Sequence, residues 1–483
     1  MQGATRKPPS EPALFFLIIL IQLVSAAGLT VLYSMLAGLF REYAGSNLNM
    51  GWAVTAYLFV AASAGALCGR LSDVFGRRVL LLWMLAIAAI GALISILAPT
   101  PLWVIAGCAL QGIAGALNPI DVAVAKDRVP AKRLPLAIAA ITAAGTAGSG
   151  LIYLAAGWIT DHFASHGAFI MKLVLAVLTF LFVLIILPRD RPADAIAAEG
   201  KKIGYMRGMV FILPLAAFLA AIDRGHVWGL LDPRTLGLFA ASLLGLWLWA
   251  MDQRRQTVPL IDVALLSNRT LALAMLAQIL LGIGAIQIGQ IFSLVLQQPV
   301  SSGAGFGLTA AAAGLLFIIL NGTSALTSPL AAGLVKLFGA RWTAVLGALL
   351  ACAAWGGIGY GDHDVKVFAA FGIAIITAIS FVMTGNFALI VDASPQGRVG
   401  EASGMAYVVF TIAMAVGSQI ILTIMASSTV ADATTAGLRL PSQQAIFLTY
   451  MFVAVTAVVM MIVLFAVPRR KSARIADAAP DGQ

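Results

Sequence analysis

"GRLSDVFGRR", residues 69–78, sets Arg70, Asp73, Arg77 and Arg78 between Gly69 and Gly76, and the whole stretch lies between two long apolar runs. Only 10% of the chain is charged and 61% is hydrophobic, so four charges in ten residues mark a point where the chain leaves an apolar phase. Soluble domains are about half apolar and about a quarter charged. Apolar runs of about 18 residues or more recur along the whole sequence, each long enough to cross a hydrocarbon core of about 30 Å. The chain therefore reads as an all-α integral membrane protein. Strand-type alternation is absent, which excludes a barrel and leaves helices as the spanning element.

Fourteen apolar segments can be counted, from one starting near Ala13 to one starting near Ala445. With the N-terminus inside, all but six of the 30 Lys and Arg residues fall on the cytoplasmic side; the exceptions are Arg41, Lys172, Arg224, Arg234, Lys366 and Arg439. That asymmetry sets an N-in, C-in topology, and a bacterial inner membrane is the expected location. It also accounts for the net charge of +10 without a nucleic-acid partner. Arg6 and Lys7 precede the first apolar run and no small-residue cleavage site follows it, so that run is read as a retained helix. Cys68, Cys108 and Cys352 are widely spaced in apolar segments, a pattern for neither a disulfide framework nor a zinc site.

A second copy of the opening stretch occurs at 332–341, "AGLVKLFGAR", with Leu71/Leu334, Phe75/Phe338, Gly76/Gly339 and Arg78/Arg341 in register. Each copy follows the second helix of a six-helix set. The chain thus divides into a six-helix bundle (1–187), a charged cytoplasmic linker (188–207), two inserted helices with their link (208–268), a second six-helix bundle (269–467) and a disordered tail (468–483). Two parallel six-helix halves are a carrier layout in which substrate binds between them near the midplane.

On these residues the chain resembles the major facilitator superfamily, in particular its fourteen-helix drug:proton antiporter branch. "WAVTAYLFVA" (52–61), "LQGIAGALNP" (110–119), "DRGHVWGLLDPRTL" (223–236), "PLIDVALLSNR" (259–269) and "GFGLTAAAAGL" (305–315) carry the resemblance further. It implies a cytoplasmic gate at Gly69, Arg70, Asp73, Gly76, Arg77 and Arg78, whose charges latch that side shut. It also implies a cavity lined by the first, fourth, ninth and twelfth spans. The departures lie where the branch holds its charges. Gly28 stands at the usual helix-one Asp, Cys108 at the usual helix-four Arg, and Lys172 in place of the Asn-x-Pro that opens helix six. Of the fifth-helix signature, only Gly157 remains.

A carboxylate at mid-membrane costs about 2.5–3.5 kcal/mol on insertion scales, so it is kept only for a use. Asp121 is the best acidic candidate, read either as a proton site or as a cytoplasmic-end packing contact. Lys172 either snorkels to the interface or attracts an anionic group of the cargo. Asp223 and Asp232 are read as interfacial, and Glu401 as favourable at a helix N-terminus. Cavity candidates are Thr30, Tyr33, Ser34, Gln111, Asn118, Gln287, Gln290 and Asn386; such side chains also serve simply as hydrogen bonds between helices. Gln278 and Thr384 belong to the same spans, with Gln278 turned to the other side of span nine from Gln287.

His162, His166, His226 and His363 are assigned to external loops, and no metal is expected. No phosphate-binding GxxxxGK[ST] occurs, so ATP is excluded as fuel. The expected protein is no enzyme. It is a monomeric, cofactor-free secondary transporter that exports hydrophobic or amphipathic small molecules, driven by the proton gradient. A facilitator or uptake carrier, or a non-transporting scaffold or sensor, is the alternative.

Overall fold

The computed structural model describes residues 10–44, 46, 49–130, 132–188, 210–229, 231–255, 263–360, 364–395, 398–431 and 438–468. In chain order the helices are α1 (Glu11–Glu42), α2 (Trp52–Phe75), α3 (Arg77–Ile96), α4 (Pro101–Arg128), α5 (134–162), α6 (165–186), α7 (Ile212–Trp228) and α8 (Pro233–Arg255). They continue as α9 (Arg269–Gln297), α10 (Ala310–Phe338), α11 (Ala340–Ile358), α12 (Val365–Ala393), α13 (Val399–Ala426) and α14 (Gln443–Phe465). One antiparallel hairpin, β1 (Thr429–Ala431) with β2 (Arg439–Pro441), links α13 to α14. By length and apolarity, eleven helical runs among the described residues can cross a membrane. The fourteen expected crossings exceed what that criterion supports: Leu136–Ile186 counts as one run although it holds both α5 and α6, Ile212–Trp228 has 17 residues, and the apolar part of α2 is Trp52–Gly65. The 188–207 linker and the tail fall outside the described residues except at Pro188 and Pro468.

The α5–α6 run is helical throughout except at Phe163 and Ala164, where φ is −124° and +58°. Contacts with α1 reveal what this break does. Going up α1, Gln22 meets Gly145, Ser34 meets Tyr153 and Gly38 meets Thr160, so α5 runs parallel to α1. Gly38 also meets Ser165 while Gly28 meets Lys172, so α6 runs back down. His162 and His166 therefore lie in helices on either side of this reversal and not in a loop. His162 Nδ1 contacts the Trp158 carbonyl and His166 contacts Glu42 at 3.1 Å. His363 and the side chain of His226 fall outside the described residues.

The repeat is visible in the backbone. Gly76 (φ 83°, ψ 148°) and Gly339 (φ 87°, ψ 159°) each end one helix and begin the next in nearly the same left-handed-φ, extended-ψ conformation, a region open only to glycine. The arginine two residues on then reaches the end of the sixth helix of its own half. Arg78 donates to the Leu184 carbonyl at 2.9 Å, and Arg341 donates to the Phe465 carbonyl at 2.5 Å. A cation on the last carbonyls of a helix satisfies orphan acceptors and opposes the negative dipole end.

Contacts between the halves pair second helices with fifth: α2 with α13, and α5 with α10, while α1 meets α9. The buried core has the same asymmetry. Away from the termini, residues of both halves, such as Tyr33, Tyr153, Phe292 and Trp355, belong to one continuous cluster. On the terminus side the N half keeps a cluster of its own, built from Leu14, Leu17, Ile120 and Val183 among others. Among the described residues, the buried core joins the two halves at the end away from the termini, whereas on the terminus side the N half has a buried cluster of its own. Helix α7 rests on α13, whereas α8 exposes Leu243, Leu244, Trp247 and Leu248, a lipid-facing surface.

An added Cβ at Gly339 meets nothing within 4 Å, so its cost there is backbone strain alone. Gly339→Ala is expected to lower stability by about 1–3 kcal/mol. Thermal unfolding of the purified protein in detergent checks this; an unchanged Tm would show that the turn relaxes.

Candidate functional site

Where α1, α5 and α9 meet, a buried hydrogen-bonded cluster ties the halves together. Ser293 donates to the Tyr33 carbonyl, and Tyr153 Oη donates to Ser293 Oγ at 2.8 Å. Gln297 Nε2 reaches Ser293 Oγ at 3.0 Å and the Ser34 carbonyl at 3.2 Å. Arg41 donates to the Gln297 carbonyl at 2.6 Å, and the Tyr153 ring stacks on Phe317 with centroids 4.1 Å apart. Of the cavity candidates, Tyr33 and Ser34 thus belong to this lock, largely through their backbone carbonyls. Tyr153, Ser293 and Gln297 escaped the sequence reading because lone Tyr, Ser and Gln residues in apolar helices carry no spacing signal.

Two further ties lie at the same level. The Asp161 carboxylate accepts from the Ala310 and Ala311 N–H groups at 3.0 and 2.9 Å, capping α10 from the other half. Thr55 donates to Gln419 Oε1 at 2.9 Å, and Gln419 Nε2 donates to Asp223 at 2.9 Å. Asp223 is therefore buried in a chain joining α2, α13 and α7, rather than interfacial. Between these ties α5 and α10 approach so closely that a Cβ on Gly157 would lie 2.4 Å from the Ala310 carbonyl oxygen. Gly314 against Leu154 and Gly150 against Ile318 extend the same seam. Nearer the termini, two contacts between halves are Ser149 to Asn321 at 3.1 Å and Tyr407 to the Gly115 carbonyl at 2.5 Å.

The remaining cavity candidates divide by role. Gln287 spans a break in α9 at Gly284, donating to the carbonyls of Gly282 and Met414 at 2.9 and 2.8 Å. Asn386 donates to Gln278 at 2.8 Å, a bond between α9 and α12. Gln111 donates to Ser95 at 3.0 Å, inside the N half. Gln290 is fully buried with neither amide atom partnered, and Thr30, Asn118 and Thr384 are half-buried. Among the described residues the side chains of these four make no hydrogen bond, and Tyr33 Oη is likewise unpartnered.

The three positions where the branch pattern fails come together. Lys172 turns inward and does not snorkel: Nζ donates to the Gly28 carbonyl at 3.0 Å and lies 5.6 Å from the Tyr57 ring centroid. Gly28, Gln111 and Lys172 share a cavity of about 20 Å³, room for one water, and Cys108 lies one turn before Gln111 on α4. Gly28 has a steric cause, because a Cβ there would lie 1.9 Å from Tyr57 Oη. One buried ammonium thus stands where the branch has an Asp and an Arg.

Asp121 is fully buried in the terminus-side part of α4, and neither carboxyl oxygen has a hydrogen-bond partner among the described residues. In the gate, Arg77 contacts Asp127 and the Ala123 carbonyl. With Arg78 on Leu184, these contacts stay within the N half in this state. Gly69, Arg70 and Asp73 lie in α2, but their side chains, like that of Glu401, fall outside the described residues.

Two halves related by a repeat and tied together by buried bonds away from the termini define a carrier. The sequence model of the Major Facilitator Superfamily matches residues 18–297 and 289–481, and the chain belongs to that family of transporters. It is 24% identical to the tetracenomycin C resistance and export protein of Streptomyces glaucescens over 394 residues, covering 79% of this chain and 70% of that protein. To the multidrug resistance protein B homolog of Mycobacterium tuberculosis it is 25% identical over 390 residues, covering 74% and 67%. In fold it is similar to the nucleoside transporter NupG (TM-score 0.63, 14% identity, 94% of this chain and 100% of that one). The E. coli xylose transporter XylE is similar too (TM-score 0.62, 15% identity, 94% and 97%).

Tyr153→Phe removes a buried inter-half bond worth about 1 kcal/mol, so the outer-open population should rise about fivefold. Distances between spin labels on the outer ends of α5 and α10 measure it; no change would mean that the bond is remade. Gly28→Asp should cost about 1–3 kcal/mol by overpacking against Tyr57. Combined with Tyr57→Ala it should cost less than the sum of the two single changes, read from thermal unfolding.

Proposed function

We propose that this transporter exports hydrophobic or amphipathic small molecules from the cytoplasm across the inner membrane by alternating access, at the expense of the proton gradient. The observation that carries the reading is the asymmetric closure. Among the described residues the buried ties lie mainly at the end away from the termini, and the Lys and Arg distribution makes the other end the cytoplasmic face. That is the state in which a carrier takes cargo from inside. Thr30, Asn118, Gln290 and Thr384 offer neutral hydrogen-bonding groups in an apolar setting, which suits large organic molecules better than sugars or small ions. The names of the relatives, one exporting tetracenomycin C and another conferring multidrug resistance, support the same cargo class.

Coupling is assigned to Asp121. An ionised carboxylate with no partner in an apolar core is costly, and such a group relieves the cost by taking up a proton. Asp121 holds its proton while the cytoplasmic side is open and the surrounding N-half core is closed around it. Entry of cargo from the cytoplasm that lets water reach Asp121 would release that proton to the cytoplasm, the direction in which the gradient runs, which ties protonation to conformation.

In proteoliposomes with an imposed pH gradient, wild type should concentrate members of a panel of lipophilic dyes, while exchange without a gradient continues in both wild type and Asp121→Asn. Gradient-driven accumulation should fall about tenfold or more in Asp121→Asn, the loss expected when a coupling free energy of at least about 1.4 kcal/mol is removed. Full accumulation by Asp121→Asn would move the proton site elsewhere, and flux indifferent to the gradient in wild type would make the protein a facilitator.

A further inference from the structure

Cations are rare on the outer side of this chain, yet two arginines from opposite halves line one cavity there. Arg41 lies in the last turn of α1, and Arg439 opens β2. Both line one cavity of about 410 Å³ on the outer side of the lock, between the α1–α2 connection, the ends of α9 and α13, and the hairpin. Its size falls within the roughly 300–1,000 Å³ of small-molecule sites. Phe40, Met50, Leu422 and Leu438 give it apolar walls, and its described lining residues include no Asp or Glu. The carboxylate next to Arg41 in sequence, Glu42, is engaged with His166. Arg41 is engaged through one amino group with the Gln297 carbonyl, a fraction of the five N–H donors a guanidinium carries. Outer-side arginines run against the charge bias of the whole chain, and two of the six exceptions share one apolar chamber.

We propose that this outer vestibule is a binding site for an amphipathic organic anion, an aryl sulfonate or carboxylate. The acid group sits between Arg41 and Arg439, and the apolar body lies against Phe40, Met50, Leu422 and Leu438. Guanidinium groups are suited to this task because they bind carboxylates and tetrahedral oxyanions bidentately and are weakly hydrated. Bound there, the anion bridges the N half to the C half just outside the Arg41–Gln297 bond. It therefore stabilises the outer-closed state and retards opening to the outside. Asp121 takes no part in it.

The test uses the full-length protein in nonionic detergent, with 1-naphthalenesulfonate as probe and the neutral 1-naphthalenesulfonamide as its control. The sulfonate should raise the Tm saturably and the sulfonamide should not. Arg439 is exposed and outside the lock, so Arg439→Gln should leave the unliganded Tm unchanged while raising the half-saturating concentration about tenfold. Arg439→Lys should recover part of the affinity, and tenfold more salt should weaken wild-type binding because the charges are exposed. Equal effects of sulfonate and sulfonamide overturn the proposal. So does a half-saturation that neither the Arg439 variants nor salt alters, and the salt series on wild type decides the matter even where a variant folds poorly. Binding is read without gradient or cargo, so a failure here leaves the export reading standing, and the reverse holds as well.

Discussion

Ser293, Tyr153 and Gln297 form a polar cluster sealed inside an apolar seam, and the rest of the molecule is arranged around it. In hydrocarbon no water replaces a lost partner, so each member must find its bond within the protein or pay for desolvation. Because the partners come from both halves, the cluster can be satisfied only while the outer end is closed. Individual bonds of this kind are modest, typically well under 2 kcal/mol between membrane helices. Their sum, with the Asp161 cap on α10 and the Thr55–Gln419–Asp223 chain, remains in a range that a ligand or a proton can overcome.

Glycine makes such a lock possible. Gly157, Gly314 and Gly150 bring α5 and α10 into backbone contact, where lipid tails give no hydrophobic drive and close dispersion contact supplies the attraction. The inserted helices have unequal parts in the structure. Through Asp223, α7 joins the chain that holds α13 against α2, while α8 presents its leucines and a tryptophan to lipid. Of the two inserted helices, one is therefore bonded to the ties between the halves.

The N half has rearranged its charge. Tyr57 occupies the volume that a helix-one carboxylate would need, Cys108 has no guanidinium, and the Lys172 ammonium lies on the Gly28 carbonyl between them. These changes compensate one another: an ammonium directed at a backbone carbonyl and flanked by aromatic rings is tolerable where an unpaired carboxylate would not be. The acid that remains, Asp121, lies away from this cluster, nearer the cytoplasmic end of α4.

Membrane character, orientation, the duplicated half and the family were legible in the sequence, because hydropathy, Lys and Arg placement and the paired glycine–arginine turns are local properties. Gly76 and Gly339 show why: a backbone conformation that only glycine adopts leaves its mark on a single residue. The roles of the polar side chains were not legible. Gln287, Asn386 and Gln278 read as cavity residues or companions, yet they mend a helix break and join two helices. Tyr153, Ser293 and Gln297 carried no pattern at all. The convergence of Gly28, Cys108 and Lys172, and of Arg41 with Arg439, likewise waited on the fold. In an apolar phase every polar group must find a partner, and that partner comes from whichever helix is adjacent in space. Sequence sets which groups need partners, and only tertiary packing decides which ones they receive.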